Sequence, residues 1–436
     1  MMMYTQRGLA VSTDSCDVID SIDHFHQQVL ASGLSAGNIL DAAQRNPSSL
    51  LIHIYAAAYY LYAQEYEVDK QAQIHLLEAE KLLEFANIRE QIIYDAILNW
   101  YQRDYIKAIH LLENVIELFP RDTLALKFLE WLFYCTGQAF QADNFLRVCN
   151  QCASANQDES HFLAIHSFAL ELCGHYSQAK DMAEAAIAMN RMTPWAHHTL
   201  AHVALLNHDL TGGMKRLESL QSSWEQILPL LKGHNTWHLA LFHLALRNEQ
   251  GVMKLYPAIF GTMPNTVPEQ IDALSLLWRM DMAGLPQDKK IHSVVSHLGS
   301  HPFEYYTGFN NVHFIYGLVR AGQKNLAKDS LKQMEIQAHS LPSGSLWTRV
   351  VLPLCQGIYA FANADYKTAA ELMEPVMEQS FRIGGSDAQI ELLAQTYLLC
   401  LLHTRQRDKA LLFFSRHLSH YKDTALAEWW KMDRNV

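Results

Sequence analysis

Arg103-Asp104-Tyr105-Ile106-Lys107-Ala108 opens an apolar-periodic run that ends at Pro120. Within it Leu111, Leu112, Val115, Ile116 and Phe119 keep the three-to-four spacing of a helix with one buried face. The stretch has relatives further along: Gly137-Gln138-Ala139-Phe140-Gln141-Ala142, Gly174-His175-Tyr176-Ser177-Gln178-Ala179 and Asn363-Ala364-Asp365-Tyr366-Lys367-Thr368-Ala369. Tyr105, Phe140 and Tyr176 stand 35 and 36 residues apart. The unit has a simple physical reading. A helix ends at a small or polar turn, and an aromatic opens the next helix. An alanine about three residues on lets the two helices approach closely. Proline near the end stops the second helix, because it has no backbone N–H to donate.

A helix pair of about 34 residues cannot bury its own apolar face, and stacking on its neighbours does so. This is the tetratricopeptide pattern. It predicts an all-α, tetratricopeptide-like superhelix, a helical-repeat solenoid with no sheet. Pairs are expected near 88–119, 121–151, 160–190, 194–223 and 234–258, then 268–298, 309–338, 347–379 and 386–418. Residues 1–87 read as a divergent N-terminal helical cap and 88–256 as tetratricopeptide-like pairs. Residues 257–268 hold Pro257, Pro264 and Pro268 and read as a Pro-rich break. Residues 269–436 read as further pairs and a C-terminal cap.

Composition agrees with a helical array. Only 19 Gly and 12 Pro stand among 436 residues, well below the roughly 12% the two usually make up. A net charge of −11 leaves no basic excess for nucleic acid or an anionic membrane. The seven Cys are scattered and odd in number, so they form no disulfide framework. The longest apolar stretch, near 50–63, falls short of the about 20 residues a membrane span needs. The beginning of the chain shows no signal pattern. The expectation is a soluble, cytoplasmic protein with no membrane insertion and no nucleic-acid partner.

Several strings are more specific than the repeat itself. They include Pro120-Arg121-Asp122-Thr123-Leu124-Ala125-Leu126-Lys127-Phe128, His198-Thr199-Leu200-Ala201-His202 and His234-Asn235-Thr236-Trp237-His238-Leu239-Ala240-Leu241. Leu352-Pro353-Leu354-Cys355-Gln356 and Gly384-Gly385-Ser386-Asp387-Ala388-Gln389 complete the set. In order, from about residue 80 to 400, they resemble the tetratricopeptide repeat protein 38 family. The resemblance implies the fold and a cytosolic setting, and carries no activity over.

The feature that points to chemistry is a histidine ladder in a chain with 23 His. His166, His202 and His238 are each 36 residues apart, and His198 and His234 repeat the spacing. Equal spacing in a stacked array places residues at equivalent positions on neighbouring first helices. His198/His202 and His234/His238 are i, i+4 pairs, so each pair shares one helix face. Three readings follow. The rings pack inside as satisfied core histidines. Or, with Asn235 or Asn311, they line a polar site for a small molecule or peptide. Or His198, His202, His234 and His238 hold a transition metal, most naturally zinc. No His-Glu-x-x-His string supports the last, so neither metal nor cofactor is expected.

The expected function is a recognition scaffold binding a protein or peptide segment, or a small ligand, in a concave groove. His198, His202, His234, Asn235, Trp237, His238, His313 and Gln389 are its candidate lining. The alternative is an enzyme that uses the His cluster for acid–base or metal chemistry in a closed pocket. Ser386-x-x-Gln389 also reads as a helix capping box. Cys149-x-x-Cys152 has no second ligand pair, and it and Cys355 read as core. Trp195 and Trp237 read as inter-helix packing or, alternatively, as a stacking surface for a ligand.

Overall fold

A computed structural model of the chain describes residues 2–342 and 344–432. Among them are 23 α-helices, in most cases joined by short turns, with sequence neighbours packed on one another. The expectation of no sheet needs one correction. Met3–Tyr4 and Ala10–Val11 form a small antiparallel hairpin. Gly8 turns it at φ +75°, and the Thr5 hydroxyl accepts the Leu9 N–H. Val11 is buried in the core beneath, so a short strand secures the start of the chain.

From residue 88 the helices come in consecutive couples. Ile88–Tyr101 is followed by Tyr105–Leu118, Ser160–Leu172 by Tyr176–Met189, and Pro194–Leu206 by Leu210–Leu220. Further on, Val267–Met282 is followed by Asp288–Val295, Gly308–Arg320 by Lys324–Ser340, and Asp387–His403 by Arg407–His417. Tyr105, Tyr176 and Tyr366 each open a second helix, as read from the sequence. Asp104 and Asp365 cap two of these helices by accepting the N–H groups of Lys107 and Thr368. The alanines of the pattern, Ala108, Ala179 and Ala369, are fully buried where two helices meet.

The sequence did not announce how the couples are joined. Each first helix ends at a residue in the left-handed region: Arg103, Gly137, Gly174, His208, Arg247, Gly284, Gly322, Ala364 and Arg405. That geometry terminates a helix by offering N–H groups to its last free carbonyls. His175, for example, donates to Leu170 O, and Asp365 to Ala360 O.

Phe140 departs from the pattern. It opens no helix, since the second helix of its couple begins at Ala142. This joint differs from that at Gly174 in its neighbours: at Gly137, φ +92°, a Cβ would collide with the Phe381 carbonyl. The turn is held there by Gln138 N–H donating to Gly385 O at 3.0 Å. Phe140 instead packs on Phe381 and lies under the Arg382 guanidinium. The Pro-rich segment also differs in detail. Glu249–Ile259 runs through Pro257, and Val267–Met282 carries Pro268 in its first turn, so only 260–266 lies between helices.

The chain divides into two compact units. The first comprises residues up to Cys135, Gln141–Leu200 and Leu220–Leu231. Its core includes Phe25 stacked on Tyr55 and Tyr55 edge-on to Phe128. The second comprises Thr136–Phe140, Ala201–Ser219 and the chain from Lys232 on. Its central helix, Val267–Met282, is buried along nearly its whole length and packs on Gly308–Arg320 and Asp387–His403. Trp278 stacks flat on Tyr316 with ring centroids 4.1 Å apart. Among the described residues no helix is long and apolar enough to cross a membrane.

Candidate functional site

The second unit gathers titratable groups from four elements. His202 comes from Pro194–Leu206, and His234, Asn235, Trp237 and His238 from Pro229–Ala245. Asp272 and Arg279 come from Val267–Met282, and Asp387 and Glu391 from Asp387–His403. The i, i+4 spacing of His234 and His238 brings their Nε2 atoms to 3.2 Å. On its other side, His234 Nδ1 lies 3.0 Å from an Asp272 carboxylate oxygen. The His202 and His238 ring centroids are 4.6 Å apart. His202 Nδ1 in turn lies 3.0 Å from Asp387 Oδ1. The result is a continuous run, Asp272, His234, His238, His202, Asp387, with a carboxylate at each end.

That order constrains the protons. A carboxylate beside Nδ1 holds the hydrogen there, which frees Nε2 as a lone pair. With His234 donating to Asp272, the hydrogen between the two facing Nε2 atoms belongs to His238. Trp237 stacks on His234 with an interplanar angle of 9°. The Arg279 guanidinium lies 5.2 Å from the Trp237 ring centroid. Burial pulls Arg279 down from the usual guanidinium range, against the opposing influence of Tyr421, Glu391 and Asp272. Arg279 also donates to the carbonyls of Ala388 and Gln389, fixing the start of the helix that carries Asp387 and Glu391.

A cavity of about 330 Å³ opens beside this run. His202, with a fully buried side chain, forms its floor. Asp387, Glu391 and His420 line its middle, and exposed Glu378 and His417 stand at the rim. Leu205, Leu206, Phe381 and Phe413 supply apolar wall. Glu391 and His420 are 2.6 Å apart. Burial alone would push the Glu391 acid up and the His420 imidazole down. Their mutual attraction reverses both, leaving Glu391 below and His420 above its usual value.

Each remaining candidate has neighbours of its own. His198 is in the first unit, its ring edge-on to Phe168 and Trp195. His166, also there, bonds to Asn150 Oδ1 at 2.9 Å. His313 is buried, and its Nδ1 donates to Phe309 O one turn back. Burial lowers its pKa to about 3, so the ring is neutral. Gln389 completes the capping box: its side-chain oxygen accepts the Ser386 N–H, and its own N–H donates to Ser386 Oγ. Asn235 is buried. Asp272, Arg279, Glu391 and His420 were not singled out from the sequence. Asp272 had a signal, since it lies 34 residues past His238, about one repeat on. His420 had none.

Chemically, the arrangement holds oriented imidazoles beside a cavity. A carboxylate–imidazole pair suits general base or acid work. The 3.2 Å separation of His234 Nε2 and His238 Nε2 also approximates the ~3.3 Å between two nitrogens on one tetrahedral zinc. No family model matches the chain.

Proposed function

We propose that this chain is a tetratricopeptide-like helical-repeat recognition protein that acts in the cytoplasm and binds a small molecule in its second unit. The left-handed joint ending every first helix from residue 88 on supports the repeat reading. Seven cysteines without a disulfide suit a reducing compartment. The observation that carries the functional reading is His202, paired with Asp387, forming the floor of a cavity and continuing into His238, His234 and Asp272. Burying Asp272, His238 and His202 and half-burying His234 and Asp387 in one run is costly, and packed apolar side chains would stabilise the fold at least as well. Such clusters are retained where they meet a ligand or move a proton. His202 and His238 are only 1% and 2% exposed, too deep for a passing peptide strand to reach.

The test is direct. Purified protein, denatured and examined by mass spectrometry, should release a stoichiometric small molecule. The double variant His202→Ala/His238→Ala should lose it while keeping wild-type helicity. Retention of the compound by that variant overturns the reading, and loss of the fold shows core histidines instead.

The second reading is an enzyme that uses the run for acid–base chemistry. The His234–Asp272 contact favours it, because a carboxylate on Nδ1 fixes the orientation and tautomer of the ring. It requires the released compound to exchange a carbon-bound hydrogen in deuterated water with the wild-type protein but not with Asp272→Asn.

A further inference from the structure

The chemistry of the cavity lining narrows what fits it. Three carboxylates, Glu378, Asp387 and Glu391, face the space, and among the described residues no lysine or arginine does. His420 offsets Glu391 by direct contact. Asp387 meets His202, and Glu378 stands exposed at the rim. An anionic ligand would enter against this excess of acid and find no lysine or arginine to pair with, a costly desolvation. An ammonium group has three donors and no acceptor. It matches a ring of carboxylate oxygens, and it is attracted to aromatic faces such as those of Phe381 and Phe413. Leu205, Leu206, Ala388 and Ile390 add apolar lining. The volume, about 330 Å³, lies at the small end of ligand pockets, which run from about 300 to 1,000 Å³.

We propose that this cavity binds a small primary amine with an apolar body, its ammonium group on Asp387 and its chain against the Leu205 wall. The proposal rests on the small-molecule reading above and names its ligand class.

Calorimetric titration of the full chain with n-hexylamine and with hexanoate tests it. Hexylamine should bind and hexanoate should not. Asp387→Asn should weaken hexylamine about 10-fold, as loss of a half-buried charge partner does. Glu378→Gln, at an exposed position, should weaken it about 2-fold with unchanged thermal unfolding. It keeps the test valid if Asp387→Asn perturbs the fold. Equal affinity for hexanoate, or hexylamine affinity unchanged in both variants, overturns the amine inference while small-molecule binding stands. If neither probe binds and no compound is released on denaturation, the small-molecule reading falls as well.

Discussion

Both units bury charge, and they do so differently. In the first, buried ionic groups close on each other. Arg89 meets Asp122 at 2.7 Å with both side chains almost wholly hidden, and Lys127 meets Glu130 at 2.6 Å one turn along the same helix. Arg89 also donates to Ala10 O, so the pair locks the N-terminal hairpin to the helices. In the second unit, buried groups form an extended run with one end at a cavity. A closed pair has a structural job that its own geometry explains. A run ending at a cavity presents polar groups to that space.

The sharpest way to break that comparison is Arg89→Ala. It strands the Asp122 carboxylate in the core and should cost about 3–5 kcal/mol in urea unfolding. Ligand release from the second unit should be untouched. A loss near zero would mean that Asp122 finds another partner and that the pair is not structural.

The next effect tests the repeat itself. Ala179 is fully buried in the first unit. Ala179→Leu should overpack the joint between two helices and cost about 1–3 kcal/mol. An unchanged melting temperature would contradict the close approach of those helices.

The smallest effect is pH dependence from Glu391 and His420, of order 1 kcal/mol for a half-buried pair in the cavity lining. His420 is raised above its usual 6.5, so its contribution is complete below about that pH and fades as pH rises through the raised value. Glu391 is lowered below its usual 4.5, so its contribution is complete above that and fades as pH falls through the lowered value. The pair should therefore stabilise most between these limits. His420→Gln should flatten the alkaline side of the stability profile, and an identical profile would remove the pair from the account.

Much of the fold was legible because its helix couples are specified locally. Tyr105, Ala108 and Pro120 specify a helix opening, a close approach and a stop within one stretch of chain. The left-handed joints were harder to see, because only Gly137, Gly174, Gly284 and Gly322 among them are glycines. Phe140 misled because its turn packs on Phe381 and Gly385, residues far along the chain that no local pattern reveals. Half of the site was visible for the same reason as the fold: the histidines repeat at 36 residues. The other half depends on tertiary meetings. Asp387 opens a helix, where an acidic residue already has a local explanation in the helix dipole. Nothing in sequence tells it apart from an ordinary first-turn acid. Its partner His202 lies 185 residues earlier.

Five of the nine joints carry side chains where glycine would fit without strain: Arg103, His208, Arg247, Ala364 and Arg405. Each holds an unfavourable backbone conformation worth roughly 1 kcal/mol. To a protein engineer they are five separate adjustment screws, spread along the chain, and none is itself a member of the histidine run. Turning them one at a time with glycine would tune the rigidity of a chosen couple and leave the chemistry alone.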